Sequence, residues 1–172
     1  VIEKNIAEPD AVVEAVRKVL VQSRTKLKHA AIAVPAAAVI TKVIEMPANL
    51  DSDGLDQQIR MEADQYIPYP IDEVALDFEV LGPSETRPDM VDVLLVACRN
   101  DNVESRQDVL TDAEVATLVV DVESYALERA FSLLMPQLGL GIGSTVAVVD
   151  IGATMTTLNI LQEGKIIYSR EQ

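Results

Sequence analysis

The run Val146–Tyr168, VAVVDIGATMTTLNILQEGKIIY, constrains this chain most, because it reads strand, turn, strand, turn, strand and leaves no room for a helix. Its first strand, Thr145–Val149, is apolar enough to be read as buried, and it delivers Asp150, Gly152, Thr154 and Thr156 into a tight turn. Gly152 lets a backbone approach a ligand closely, and turn N–H groups with threonine hydroxyls can donate to phosphoryl oxygens. Asp150 supplies the carboxylate that a magnesium ion, or its water shell, requires. Leu158 and Ile160 then alternate with polar neighbours, Glu163-Gly164 reverses the chain, and Ile166–Tyr168 resumes an apolar run. A dinucleotide fold needs a glycine-rich turn opening a helix, and a Walker loop needs a downstream Gly-Lys-Ser/Thr, so neither matches.

Composition limits the partners. The 172 residues carry a formal charge of −14, which repels nucleic acid and anionic headgroups at long range, while a local pocket of backbone donors with magnesium still admits a nucleotide. With 49% hydrophobic content the chain can bury a sizeable core. No run of 18 apolar residues occurs, so no helical membrane insertion is expected. Cys98, the one cysteine, lies in the apolar run Val93–Cys98 and reads as a buried small hydrophobe, which suits a reducing compartment. His29, the one histidine, has no second histidine or cysteine cluster to form a zinc site or a triad with. A start at Val1 and a stop at Gln172 just after a strand suggest a piece of something longer.

Upstream, strands and helices interleave. A helix over Asp10–Gln22 places Val12, Val16, Val19 and Leu20 on one face; Ala30–Val34 and Val39–Met46 read as strands ended by Pro35 and Pro47. Asp51 or Ser52 caps a helix reaching about Tyr66 with Leu55, Ile59, Ala63 and Tyr66 inward, before Tyr66-Ile67-Pro68-Tyr69-Pro70 breaks it. Tyr66 and Tyr69 are read as core plugs. Val74, Leu76, Phe78 and Val80 alternate as a half-buried strand expected to pair with Met90–Cys98 across the polar loop Gly82–Asp89. A helix from Asn100 or Asp101 to Asp112 exposes Asp101, Glu104 and Asp108 as solvated surface. Leu118–Val122 is a strand, VVDVES reads as a strand end and helix cap, and Ser124–Leu134 is a helix burying Leu127, Ala130, Phe131 and Leu134. Gly139-Leu140-Gly141-Ile142-Gly143 forms a hinge-like linker. The order α β β α β β α β α followed by a β hairpin implies an α/β fold in layers.

Asp150-Ile151-Gly152-Ala153-Thr154-Met155-Thr156 resembles the Asp-x-Gly-x-x-x-Thr phosphate hairpin of the actin, Hsp70 and sugar kinase superfamily. Further stretches, HAAIAVPAAAVITKVIEMP, EADQYIPYP, DFEVLG, VDVLLVACRNDN and VVDVESYALE, together with residues 149–172, resemble in the same order the PilM family of actin-like proteins of type IV pilus assembly. That resemblance implies a fragment of the actin-like, ribonuclease H-like ATPase fold with an inserted SHS2-type subdomain. Residues 1–30 would end subdomain 1A, 31–115 form the insert 1C, 116–143 return to 1A with the hinge, and 144–172 begin 2A.

By the same resemblance, Asp150 would hold magnesium through water, with Gly152, Thr154 and Thr156 contacting the phosphates of ATP. Its other phosphate hairpin and its adenosine contacts would lie outside the chain, leaving weak or no ATP binding and at most weak ATPase activity. The implied partner is the N-terminal cytoplasmic tail of PilN, held between 1A and 1C, in a cytoplasmic scaffold that links the inner-membrane complex to the pilus motor ATPases. Two alternatives stand beside it: an FtsA-like division filament protein, and a sugar or acetate kinase-like phosphotransferase with Asp121 or Glu123 as general base.

Overall fold

The computed structural model describes residues 1–2, 4–139 and 143–172. Leu140, Gly141 and Ile142 of the expected hinge lie outside the described residues. Chain order is α1 (Pro9–Ser23), β1 (His29–Val34), β2 (Val39–Pro47), α2 (Ser52–Ala63), β3 (Val74–Pro83), β4 (Met90–Arg99), α3 (Asn100–Asp112), β5 (Ala116–Val122), α4 (Glu123–Leu134), β6 (Thr145–Ile151), β7 (Thr156–Gln162) and β8 (Lys165–Glu171). This is the alternation expected from the sequence. The chain divides into two compact units, Val1–Ala37 with Glu104–Gln172, and Ala38–Val103.

In the unit Ala38–Val103, β4 lies between β2 and β3, antiparallel to both, so the expected pairing of β3 with β4 holds. Alternation turns Val93, Leu95 and Ala97 of β4 inward beside Ile44 and Met46 of β2. Leu55, Ile59 and Ala63 of α2 close over them at the spacing of one helical face. Asp51 starts that helix by accepting a hydrogen bond from Gly54 N at 2.8 Å. Its end comes at Ala63 rather than Tyr66, because residues 62–66 tighten into i−3 bonds, Gln65 N to Glu62 O and Tyr66 N to Ala63 O, ahead of Pro68.

Tyr66 packs partly against this core with the Lys42 ammonium 6.0 Å from its ring centre, whereas Tyr69 is exposed beneath the Arg99 guanidinium at 5.6 Å. The core-plug reading therefore holds in part for Tyr66 and fails for Tyr69, whose ring meets the Arg99 guanidinium instead of the core. Val80 is exposed too, against expectation. A helix of α2's length covers about 18 Å while β3 extends about 33 Å, so the end of the strand outruns its cover.

In the other unit, β1 and β5 pair in parallel from His29↔Ala116 to Val34↔Val122. Here α1 packs on the last turns of α3 through Val13, Val109 and Ala113, flanked by Ile6, Val12 and Val16. Val19, expected inward, is exposed, because the buried stripe follows Val13, Val16 and Leu20 and leaves Val19 on another side of the helix. On α4 only Phe131 is fully buried; Leu127 is half-buried, and Ala130 and Leu134 are exposed. Helix α4 begins at Glu123 after Val122, which offers no side-chain cap, so the cap expected in VVDVES is absent. Strand β6, expected buried, is exposed at Val149 and Ile151, since it is an edge strand of the described β6-β7-β8 sheet and its odd-numbered residues share the uncovered face. Cys98 is buried, as expected.

One polar cluster ties β2 to the loop after β3. The Glu45 carboxylate accepts from Ser84 Oγ at 2.7 Å and Thr86 Oγ1 at 2.9 Å and pairs with Arg87. The hydrogen bond from Arg87, then those from Ser84 and Thr86, lower its pKa from 4.5 to about 2. A carboxylate depressed by folding stabilises the fold above its unfolded pKa, and that contribution is lost as pH falls through the folded value. Acid unfolding followed by circular dichroism should therefore steepen between pH 4.5 and about 2, and Glu45→Gln should flatten that window. Identical profiles would refute the assignment. Separately, Leu95→Ala, which truncates a side chain only 1% exposed, should cost about 2–5 kcal/mol in denaturant titration.

Candidate functional site

The hairpin places its residues by period two. In the register Asp150↔Thr157↔Glu171 and Val148↔Asn159↔Ser169, all these side chains fall on one face of the β6-β7-β8 sheet. Against that face lie Glu123, Ser124 and Leu127 at the start of α4, enclosing a recess of about 350 Å³ that Lys4 also lines. At the far end of β7, Glu163 and Gly164 both take positive φ, 54° and 81°, as a two-residue reversal between twisted strands demands.

Lys4 carries the charge balance. Its ammonium donates to Glu123 Oε2 at 2.5 Å, Glu171 Oε1 at 2.8 Å and Thr157 Oγ1 at 3.5 Å, while Arg106 holds the Lys4 carbonyl at 2.8 Å. Burial alone would push the Lys4 pKa down, but the hydrogen bonds and charges of Glu123 and Glu171 together outweigh it and hold the group above its ordinary value. With Asp150, three carboxylates and one ammonium line the recess among the described residues. Asn159, 2% exposed, also lines it, and its Oδ1 is buried with no hydrogen-bond partner among the described residues. A buried acceptor left unpaired costs free energy, so this atom marks a place where a ligand's donor or a water belongs.

Of the four hairpin residues singled out as phosphate and magnesium contacts, the recess takes Asp150 alone, and of the two general-base candidates it takes Glu123. Thr156 lies on the opposite face, lining a second recess with Leu158, Arg170 and Gln172. Gly152 and Thr154 form the turn itself, closed by a hydrogen bond from Gly152 N to Met155 O at 3.0 Å. A Cβ at Gly152 would stand 2.9 Å from Met155 O, so the turn requires glycine for lack of space. Asp121 and Glu123, the general-base candidates, are both engaged by cations, Asp121 by Arg129 and Glu123 by Lys4. Thr157 and Asn159 were legible in principle, because a hairpin register follows from its turn; Lys4 and Glu171 carried no motif.

Among the described residues no group of three or more His, Cys, Asp or Glu side chains could ligate a metal directly. Hard oxygen acceptors around an orphaned Asn159 Oδ1 instead suit a magnesium ion kept in its water shell, which Asp150 and Asn159 would hold through water.

The fold and this recess define a mixed α/β protein whose Asp-x-Gly hairpin faces a helix N-terminus across an acidic pocket. The family model described as type IV pilus assembly protein PilM matches residues 1–172, and the chain belongs to that family. Among solved structures, a PilM-PilN type IV pilus biogenesis complex matches with a TM-score of 0.76 and 29% identity over 99% of this chain and 50% of that one. This chain thus spans about half the length of that relative, and its α/β fold is the fold of that half. A protein from Bacteroides thetaiotaomicron described as having an actin-like ATPase fold and unknown function matches at TM-score 0.40 and 11% identity over 93% of this chain and 55% of its own. That likeness is too distant to bear on function. No helix of the described residues is long and apolar enough to cross a membrane.

The close approach at Gly152 generates a test: Gly152→Ala should destabilise the protein by about 1–3 kcal/mol in denaturant titration, because the turn must open to admit the methyl group. Unchanged stability would show the turn to be free to relax.

Proposed function

We propose that this chain is part of an actin-like scaffold of type IV pilus assembly that binds the N-terminal cytoplasmic tail of PilN and, in the longer family protein, ATP. Membership of the PilM family over residues 1–172, together with the 0.76 match to a PilM-PilN complex, is the observation that carries the reading. The scaffold is cytoplasmic and is tied through PilN to the inner-membrane complex, which it links to the pilus motor ATPases. Its inserted subdomain 1C is residues 31–115, within which the compact unit Ala38–Val103 falls; residues 1–30 and 116–143 belong to 1A, and 144–172 to 2A.

At the nucleotide site Asp150 would hold magnesium through water and the turn at Gly152 and Thr154 would lie beside the phosphates, whereas Thr156, on the opposite face of the sheet, is left out of it. Magnesium, when bound, offsets phosphate charge that the acidic lining would otherwise repel. Lys4 neutralises part of that lining, and Asn159 supplies a fixed acceptor. Asp121 does not line the recess and Glu123 is turned to Lys4 within it, which favours the scaffold over a phosphotransferase.

A pulldown with a synthetic PilN tail should retain this chain and a family-length protein alike, and no retention by either would overturn the scaffold reading. Calorimetry on the family-length protein should register magnesium-dependent ATP binding that Asp150→Asn weakens about tenfold or more, equivalent to roughly 1.4 kcal/mol. Unchanged affinity would remove Asp150 from the site.

A further inference from the structure

A strongly acidic chain keeps one basic surface. From Ala15 to Ile44 the sequence has no carboxylate, and Arg17, Lys18, Arg24, Lys26 and Lys28 fall within twelve residues of it. Helix α1 carries the first two outside its inward stripe of buried Val13 and half-buried Val16 and Leu20, with Arg17 at the edge next to α3: Glu14, Arg17, Lys18, Val21 and Gln22 follow one another at i, i+3, i+4, i+7 and i+8 and line a shallow groove of about 370 Å³. Arg24 then ends the helix in the left-handed conformation, φ 53°. The segment beyond it is held by Ser23 Oγ accepting from Thr25 N at 3.4 Å and Thr25 Oγ1 accepting from Leu27 N at 3.2 Å.

Among these cations stand two of the most exposed apolar side chains of the protein, Val21 at 77% and Leu27 at 73%. Nearby acids offset the cations only in part. Lys18 pairs with Glu14 at 2.9 Å and Lys28 with Glu114 at 3.8 Å, all four well exposed, while Arg17 donates to the Asp112 carbonyl. Arg24 and Lys26 have no carboxylate partner among the described residues. Exposed pairs of this kind are weak and are readily exchanged for another anion.

We propose that this surface, the outer stripe of α1 and the segment Arg24–Lys28, docks on an anionic membrane, with its cations against lipid phosphates and Val21 and Leu27 in the interface. Cations interleaved with projecting aliphatic side chains suit a headgroup layer, where the charge is neutralised and the apolar tips leave water together. The net charge of −14 opposes approach from afar, so contact depends on charges within a Debye length, about 8 Å at physiological salt. This docking lies on the membrane surface and needs neither ATP nor the PilN tail.

Flotation of the folded chain with vesicles of phosphatidylglycerol in phosphatidylcholine, set against vesicles of phosphatidylcholine alone, tests it. The anionic vesicles should carry the protein and the neutral ones should not, and raised salt should release it. Arg24→Glu with Lys26→Glu should cut the bound fraction about tenfold or more. Val21→Ser with Leu27→Ser should also reduce it, circular dichroism of both double variants remaining that of the parent. No flotation with anionic vesicles, equal flotation with neutral ones, or binding that survives the charge reversal would overturn the proposal, as would saturable binding to polyglutamate with none to vesicles. Failure of PilN-tail capture would leave the vesicle result unaffected, so the two readings fail separately.

Discussion

Parallel pairing of β1 with β5 is the constraint on which the rest depends. Two parallel neighbours cannot be joined by a tight turn, so the chain between Val34 and Ala116 must leave the sheet and come back. Most of that excursion, Ala38–Val103, folds around a core of its own, with Leu95 and Met46 at its centre. An excursion with its own apolar core offsets the entropy of ordering it, which a structureless connection of the same length would not. On return, β5 runs directly into α4, whose first turn brings Glu123 and Ser124 to the recess that the hairpin sheet also lines.

Charge gives that recess its character. A phosphate grip read from the hairpin alone would be a set of donors, yet among the described residues its surroundings contain Asp150, Glu123 and Glu171 against Lys4. Bare phosphate is repelled by such a lining, whereas phosphate accompanied by a hydrated divalent cation is not. The glycine turn is closed on itself, Gly152 N donating to Met155 O, so the recess takes its character from the carboxylates and Lys4 rather than from turn donors.

Much of the fold was legible in the residues. The order of strands and helices, the cap at Asp51, the inward face Leu55, Ile59 and Ala63, the pairing of β3 with β4 and the Glu163-Gly164 reversal all follow from local signals that act over a few residues. Failures came where a neighbour had to be known. Val80 obeys the alternation of its strand but runs past the end of α2; Ala130 and Leu134 obey helical spacing where little covers them; Val149 and Ile151 are apolar on an uncovered face. Tyr69 gave no local sign of its exposure, because prolines fix backbone direction without saying what stands opposite.

The sequence by itself determined the α/β alternation, which rests on periodicity, and the place of the Asp-x-Gly turn, where Gly152 is fixed by lack of space for a side chain; the family showed in the order of several resembling stretches. Tertiary structure decided which residues meet. Lys4 reaches Glu123 and Glu171 across 119 and 167 positions of chain, and Asn159 becomes an orphaned acceptor only because β6, β8 and α4 bury it. Such meetings are set by sheet register and helix packing, whose energies are summed over many distant contacts and leave no mark in any one stretch of sequence.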